Sequence, residues 1–147
     1  MEGIVGIKTK QYVIFSLSSE ECGIDIQKVT SIEQVKPIAR VPKTPKYIKG
    51  VLNLRGDIIP IMDLRVRFGL PQTEETEETR IIIINIEGIL LGLIADTVAE
   101  VLQFSEESIE NVSGFQNELS LDYIQGVGKV DNRIATLLNI DKLANLD

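Results

Sequence analysis

Apolar and polar residues alternate over short stretches, β-branched residues cluster in runs, and apolar positions seldom recur at helical spacing. In the first half of the chain, residues 12–17 (YVIFSL), 23–26 (GIDI), 50–54 (GVLNL) and 57–61 (DIIPI) read as strands. In the second half, residues 80–86 (RIIIINI), 89–94 (ILLGLI), 125–130 (QGVGKV) and 133–138 (RIATLL) read the same way. Short helices are expected at 63–68, at 105–109 with Ser105 as N-cap, and at 140–146.

The two series of strands correspond. An offset of 69 lays residues 12–17 on 81–86, Gly23 on Gly92, Ile24 on Leu93, Val29 on Val98 and Ile32 on Val101. After a slip of seven residues the offset becomes 76, which lays Tyr47 on Tyr123, Gly50 on Gly126, Val51 on Val127, Ile58 on Ile134, Ile61 on Leu137 and Leu64 on Ile140. A repeat this long implies two copies of a small all-β unit. The expectation is two tandem five-stranded barrels of SH3-like or OB-like type, since closure manages the exposed edges of short sheets. The first barrel would span 1–72 and the second 80–147, joined by an acidic linker at 73–79, with boundaries free to interleave. Neither copy buries much alone, so the two are expected to share an apolar interface or exchange strands.

Length and composition support a core without extending the chemistry. The chain has 147 residues, 44% hydrophobic and 25% charged, and its low aromatic content leaves aliphatic side chains to fill the interior. No uninterrupted apolar stretch reads as a membrane span and no secretory signal is legible at the N-terminus, so a cytoplasmic protein without direct membrane insertion is expected. Net charge is −7, distributed unevenly: residues 1–70 carry 11 Lys/Arg against 7 Asp/Glu, and residues 71–147 carry 4 against 15. Lys36, Arg40, Lys43, Lys46, Lys49 and Arg55 fall in a stretch with no acidic residue. They read either as a surface for an acidic partner or as a solvated face, the latter being the simpler explanation on charge alone. An OB-like nucleic-acid binder is the weaker alternative, because Tyr47 is the lone aromatic in that stretch and the acidic half repels phosphate. The same polarity predicts weak head-to-tail self-association that salt suppresses.

There is no histidine, and Cys22 is the only cysteine, which removes the usual general base and any internal disulfide or thiolate metal site. Cys22 is expected to be a buried filler. Asp57 and Asp63 bracket an apolar strand and bring a carboxylate/metal-dependent enzyme to mind, but turn and helix-cap roles account for both. No phosphate-binding glycine loop is present. The expectation is a non-enzyme without cofactor or metal.

Residues 47–69 are the most informative stretch. Asn53-Leu54-Arg55-Gly56 reads as a turn between two apolar strands, with Asn53 and Gly56 able to take positive φ and Arg55 projecting from the tip. This segment, followed by Ile58, Pro60, Asp63-Leu64-Arg65 and Phe68, resembles the CheW-type chemotaxis coupling proteins. The resemblance extends to residues 23–26 with Val29 and Ile32, to Val41, Pro42 and Pro45, to residues 91–93 with Asp96, Val98 and Val101, and to 126–140. It implies a non-catalytic adaptor of two similar β-barrels that links chemoreceptor cytoplasmic tips to the histidine kinase CheA by docking on the kinase's own CheW-like regulatory domain. It further implies a receptor groove lined by Val29, Ile32, Gly50, Asn53, Arg55 and Val101, and a kinase face containing Thr79, Arg80, Ile82 and Val98. Where the family often has an acidic residue this chain has Ser31, with Glu33 two positions on. With no phospho-receiver domain following, the resemblance is to the smaller coupling proteins, recruited from the cytoplasm to membrane-associated receptor arrays.

Overall fold

A computed structural model describes residues 8–110 and 123–144. Eleven strands and two short helices follow one another as β1 (Thr9–Leu17), β2 (Glu20–Asp25), β3 (Val29–Gln34), β4 (Ile48–Leu54), β5 (Asp57–Asp63), α1 (Leu64–Phe68), β6 (Arg80–Ile86), β7 (Ile89–Ala95), β8 (Thr97–Ser105), β9 (Ile109–Glu110), β10 (Ile124–Val130), β11 (Arg133–Leu138) and α2 (Ile140–Leu143). The expected strands are all present, and β3, β8 and the two-residue β9 join them. β3 and β8 escaped the strand reading because, as partly exposed edge strands interspersed with polar residues, they hold no continuous apolar run. The expected helix at 105–109 is a single 3-10 turn over Glu106–Ser108, and Ser105 makes no side-chain capping bond there. The last helix, expected over 140–146, ends at Leu143 with Ala144 as its C-cap, and residues 145–146 lie outside the described residues.

The strands form a six-stranded sheet, β8-β1-β2-β11-β10-β9, and a five-stranded sheet, β3-β6-β7-β5-β4. Apart from the two-residue β9 at one edge, both run in the same internal order: third strand of one copy, then first and second of the other, then the last and the next-to-last of the former. The duplicated copies have therefore exchanged their opening hairpins, so sheet membership does not divide the chain at 72 or 80. The registers repeat as well. Ile61 lies opposite Gly92 in the parallel β5–β7 pair, and its counterpart Leu137 lies opposite Gly23 in β11–β2. At each site glycine leaves room for a large neighbour, since a Cβ on Gly92 would sit 2.5 Å from Ile61 and one on Gly23 2.9 Å from Leu137.

Exchange explains the consecutive isoleucines of β6. Ile82 and Ile84 face a core shared by both sheets, built with Phe15, Leu17, Ile24, Met62, Leu93, Leu138 and residues of both helices. Ile81 and Ile83, on the opposite face, pack with Leu52, Ile59 and Ile61 in a core belonging to the five-stranded sheet alone. Tyr12, Ile14, Phe104, Ala135 and Leu137 form the matching core of the six-stranded sheet. A strand between two cores has no polar face, which is why alternation fails there.

Both helices begin alike. Asp63 caps α1 by accepting from the backbone of Arg65 at 3.0 Å and Val66 at 3.4 Å, and Asn139 caps α2 by accepting from Lys142 at 3.2 Å. The cap reading of Asp63 holds. Arg67 of α1 stacks its guanidinium between Tyr47 and Tyr123, 4.2 and 4.8 Å from the ring centroids, and donates to the Leu143 carbonyl at 3.2 Å. It thereby ties the two sheets' helical ends together. Arg65 forms a two-pronged bond to Asp96, at 3.1 and 2.7 Å, and donates to the Pro71 carbonyl at 2.6 Å. Asp96 also accepts from the Ser18 backbone at 2.8 Å, which fixes the crossing from β7 in one sheet to β8 in the other.

Folding also redraws the charge map. Residues 29–95 of the five-stranded sheet carry nine Lys/Arg and eight Asp/Glu, close to neutral. The acidic tract is no hinge between units: it runs from α1 to β6 within that sheet's own lobe, where Glu75 pairs with Lys49 at 2.7 Å. The basic stretch and the acidic tract are spatial neighbours, so the polarity inferred along the sequence does not separate into a basic and an acidic barrel.

Candidate functional site

The expected groove residues divide among three strands and one turn. Val29 and Ile32 are three apart on β3, which in a regular strand would put them on opposite faces. A register shift between Val29 and Ser31 corrects this: Val29 lies opposite Ile84 and Ile32 opposite Ile82, so both take the face of the shared core. β8 repeats the device. Val98 lies opposite Phe15 and Val101 opposite Val13, with the shift between Ile14 and Phe15. Val29 and Val98 pack against the shared core, while Ile32 and Val101 project beside it with 42% and 46% of their surface exposed. The four form one duplicated set. Val98, assigned to the kinase face from the sequence, is the counterpart of Val29.

Asn53 and Arg55 belong to the β4–β5 turn. Asn53 accepts from the Gly56 backbone at 3.1 Å, and the left-handed positions are Arg55 and Gly56, at φ 53° and 91°, rather than Asn53. Asn53 thus acts through its side chain, and Arg55 projects from the tip as expected. The same Asn-to-Gly bond closes the β6–β7 turn, where Asn85 accepts from Gly88 at 2.8 Å. Glu33 stands on the same face of β3 as Ser31. The Ser31 hydroxyl and the Lys36 ammonium, 3.2 Å away, hold its carboxyl below the usual range, with the Arg55 charge adding to the effect.

Gly50 is buried at a close crossing. Ala39 bridges to Val51 through backbone bonds of 2.9 and 2.8 Å, and a Cβ on Gly50 would fall 2.2 Å from the Ala39 carbonyl oxygen. Its role here is to admit that crossing segment rather than to present a surface.

The expected kinase set fares unevenly. Ile82 is fully buried in the shared core on an interior strand, so its side chain presents no surface to a partner. Thr79 is 6% exposed and closes a turn by accepting from the Thr76 backbone at 2.9 Å. Arg80 is half-buried and donates to the carbonyls of Glu77 and Thr79 at 2.7 and 2.9 Å. Thr79 and Arg80 are thus the anchor of the acidic tract, a role that residue type alone did not signal.

Cys22 is buried, as expected, and burial foremost pushes its thiol far above the usual range, with Glu20, Asp96 and Glu21 adding in the same direction. The thiolate is thereby suppressed. Alkylation of native protein at pH 8 is expected to run at least about a hundred-fold slower than in denaturant, because reaction must await opening of the core. Equal rates would place Cys22 at the surface.

A duplicated, strand-exchanged pair of β-sheets with exposed apolar residues beside a shared core defines a two-lobed binding module. The chain belongs to the CheW-like domain family, which matches residues 11–147. It is 39% identical over 134 residues to a chemotaxis protein CheW of Klebsiella aerogenes, covering 91% of this chain and 81% of that one. It is 39% identical over 143 residues to the chemotaxis protein CheW of Bacillus subtilis, covering 96% and 90%. The crystal structure of the scaffolding protein TtCheW from Thermoanaerobacter tengcongensis superposes with a TM-score of 0.86 at 35% identity, covering 95% of this chain and 90% of that one. No helix among the described residues is long and apolar enough to cross a membrane.

Proposed function

We propose that this protein is a non-catalytic chemotaxis adaptor that couples the cytoplasmic tips of chemoreceptors to the histidine kinase CheA. What supports this most is the duplicated apolar set, with Ile32 and Val101 exposed beside the shared core, in a chain that matches the family along nearly its whole length. Ile32, Val101, Asn53 and Arg55 make up the receptor surface, with Val29 and Val98 beneath it and Gly50 shaping the adjoining edge. An apolar receptor helix would meet the exposed pair, and the Arg55 guanidinium would hold carboxylate or carbonyl groups at its rim. CheA docks through its CheW-like regulatory domain. On this chain Arg80 and Val98 are the half-buried members of the expected kinase face, and Thr79 and Ile82 support it from within. The adaptor works in the cytoplasm at membrane-associated receptor arrays, and any self-association is weak.

The test is titration of the purified protein with a receptor-tip fragment and, separately, with CheA. Both are expected to bind, and absence of either interaction would sink the coupling role. Arg55→Ala is expected to weaken receptor binding by roughly ten- to a hundred-fold, the usual cost of one charge-assisted contact, without lowering the melting temperature. Undiminished receptor affinity would remove Arg55 from the surface.

A further inference from the structure

A cavity of about 720 Å³ lies between the loop at residues 38–49 and the acidic tract. Arg40, Lys43, Lys46 and Lys49 line one side, and Glu74 and Glu75 the other. The basic loop is held in shape. The Thr44 hydroxyl donates to the Val41 carbonyl at 3.1 Å, Ile48 N–H to the Pro45 carbonyl at 3.0 Å, and Ala39 is clamped to Val51. The tract is fastened at both ends, by Arg65 on the Pro71 carbonyl and by the Thr76–Thr79 turn with Arg80. Between those ends it reaches the loop through the exposed Lys49–Glu75 pair.

We infer that this groove is a docking surface for an acidic polypeptide segment and that the chain's own tract competes for it. Lys49 already holds a peptide carboxylate there, so the occupying chemistry is visible in the molecule itself. Arg40, Lys43 and Lys46 are exposed, and none is seen in an ion pair among the described residues, which leaves cationic capacity that Glu75 does not use. A pre-shaped loop presents those charges with little ordering cost on binding. The Lys49–Glu75 contact is exposed and correspondingly weak, so an incoming segment with several carboxylates displaces it readily. This surface is separate from the Ile32–Val101 set, and its test does not depend on the coupling role.

The probe is a fluorescent eight-residue peptide of Glu and Gly, titrated by anisotropy at low salt into the wild type, a Lys43→Gln/Lys46→Gln variant and a variant with Glu74, Glu75, Glu77 and Glu78 all changed to Gln. Relative to wild type, the tract variant is expected to bind about three-fold or more tightly, from release of the competing pair, and the lysine variant about ten-fold more weakly. Melting curves establish that all three are folded. Failure of the peptide to bind, unchanged affinity on neutralising the tract, or unchanged affinity on removing the lysines would each overturn the inference. So would tighter binding of a single-stranded oligonucleotide that is lost in the lysine variant, since the groove would then be a nucleic-acid surface.

Discussion

Ile82→Asp is expected to abolish the cooperative fold. The side chain is completely buried in the core shared by both sheets, on a strand flanked by β3 and β7. The substitution removes a packed aliphatic chain and leaves a carboxylate without a partner, a combined loss of at least about 4–5 kcal/mol against a typical total stability of about 5–15. Circular dichroism should show no sharp thermal transition, or one lowered by well over ten degrees. Ile32→Asp, directly opposite Ile82 on the neighbouring strand but 42% exposed, should melt close to wild type. Loss of kinase binding in Ile82→Asp would accordingly report unfolding, and the milder Ile82→Val is the variant with which to examine the kinase face. A folded Ile82→Asp protein would mean that the shared core opens to solvent.

Gly50→Ala is expected to destabilise the protein by about 2–4 kcal/mol, lowering the melting temperature by roughly 5–15 °C. The new methyl group would meet the Ala39 carbonyl oxygen at 2.2 Å and the Ile38 side chain at 2.7 Å, at a backbone φ of +156°. The obstacle is backbone that is itself bonded to Val51, so it yields only by breaking the bridge. The duplicated position provides the control. At Gly126 the added Cβ would lie 3.0 Å from the Glu110 carbonyl oxygen, a tight contact that a few tenths of an ångström relieve, and Gly126→Ala should cost about 1 kcal/mol. Calorimetry on the two variants decides the matter. If both melt alike, the Ala39–Val51 bridge is soft, and Gly50 returns to the receptor surface as a contact residue.

The comparison of Ile82 with Ile32 also marks the reach of the amino-acid sequence. Strand positions, the Asn53–Gly56 turn, the Asp63 cap and the duplication are legible from it, because alternation, turn chemistry and capping act over a few residues. The exposed tip at Arg55 follows from the same local signals. Partner choice between strands does not. β1 and β6 are counterparts in the repeat and both largely apolar, so β3 has two candidate neighbours, and nothing local to Val29–Gln34 selects the distant one. Tertiary structure made that choice, and three consequences followed that no stretch of sequence contains. Ile81 through Ile84 are buried on both faces because β6 lies between its own sheet's core and the shared one. Val29 and Ile32 share a face because pairing with β6 is shifted at one point, and Val98 joins the same duplicated set. The basic loop and the acidic tract, on opposite sides of the charge divide along the chain, face each other across one groove because β6 and β7 complete the sheet begun by β3, β4 and β5. Local physics selects the elements, whereas which surfaces meet depends on long-range pairing, and a duplicated chain offers that pairing two candidate solutions.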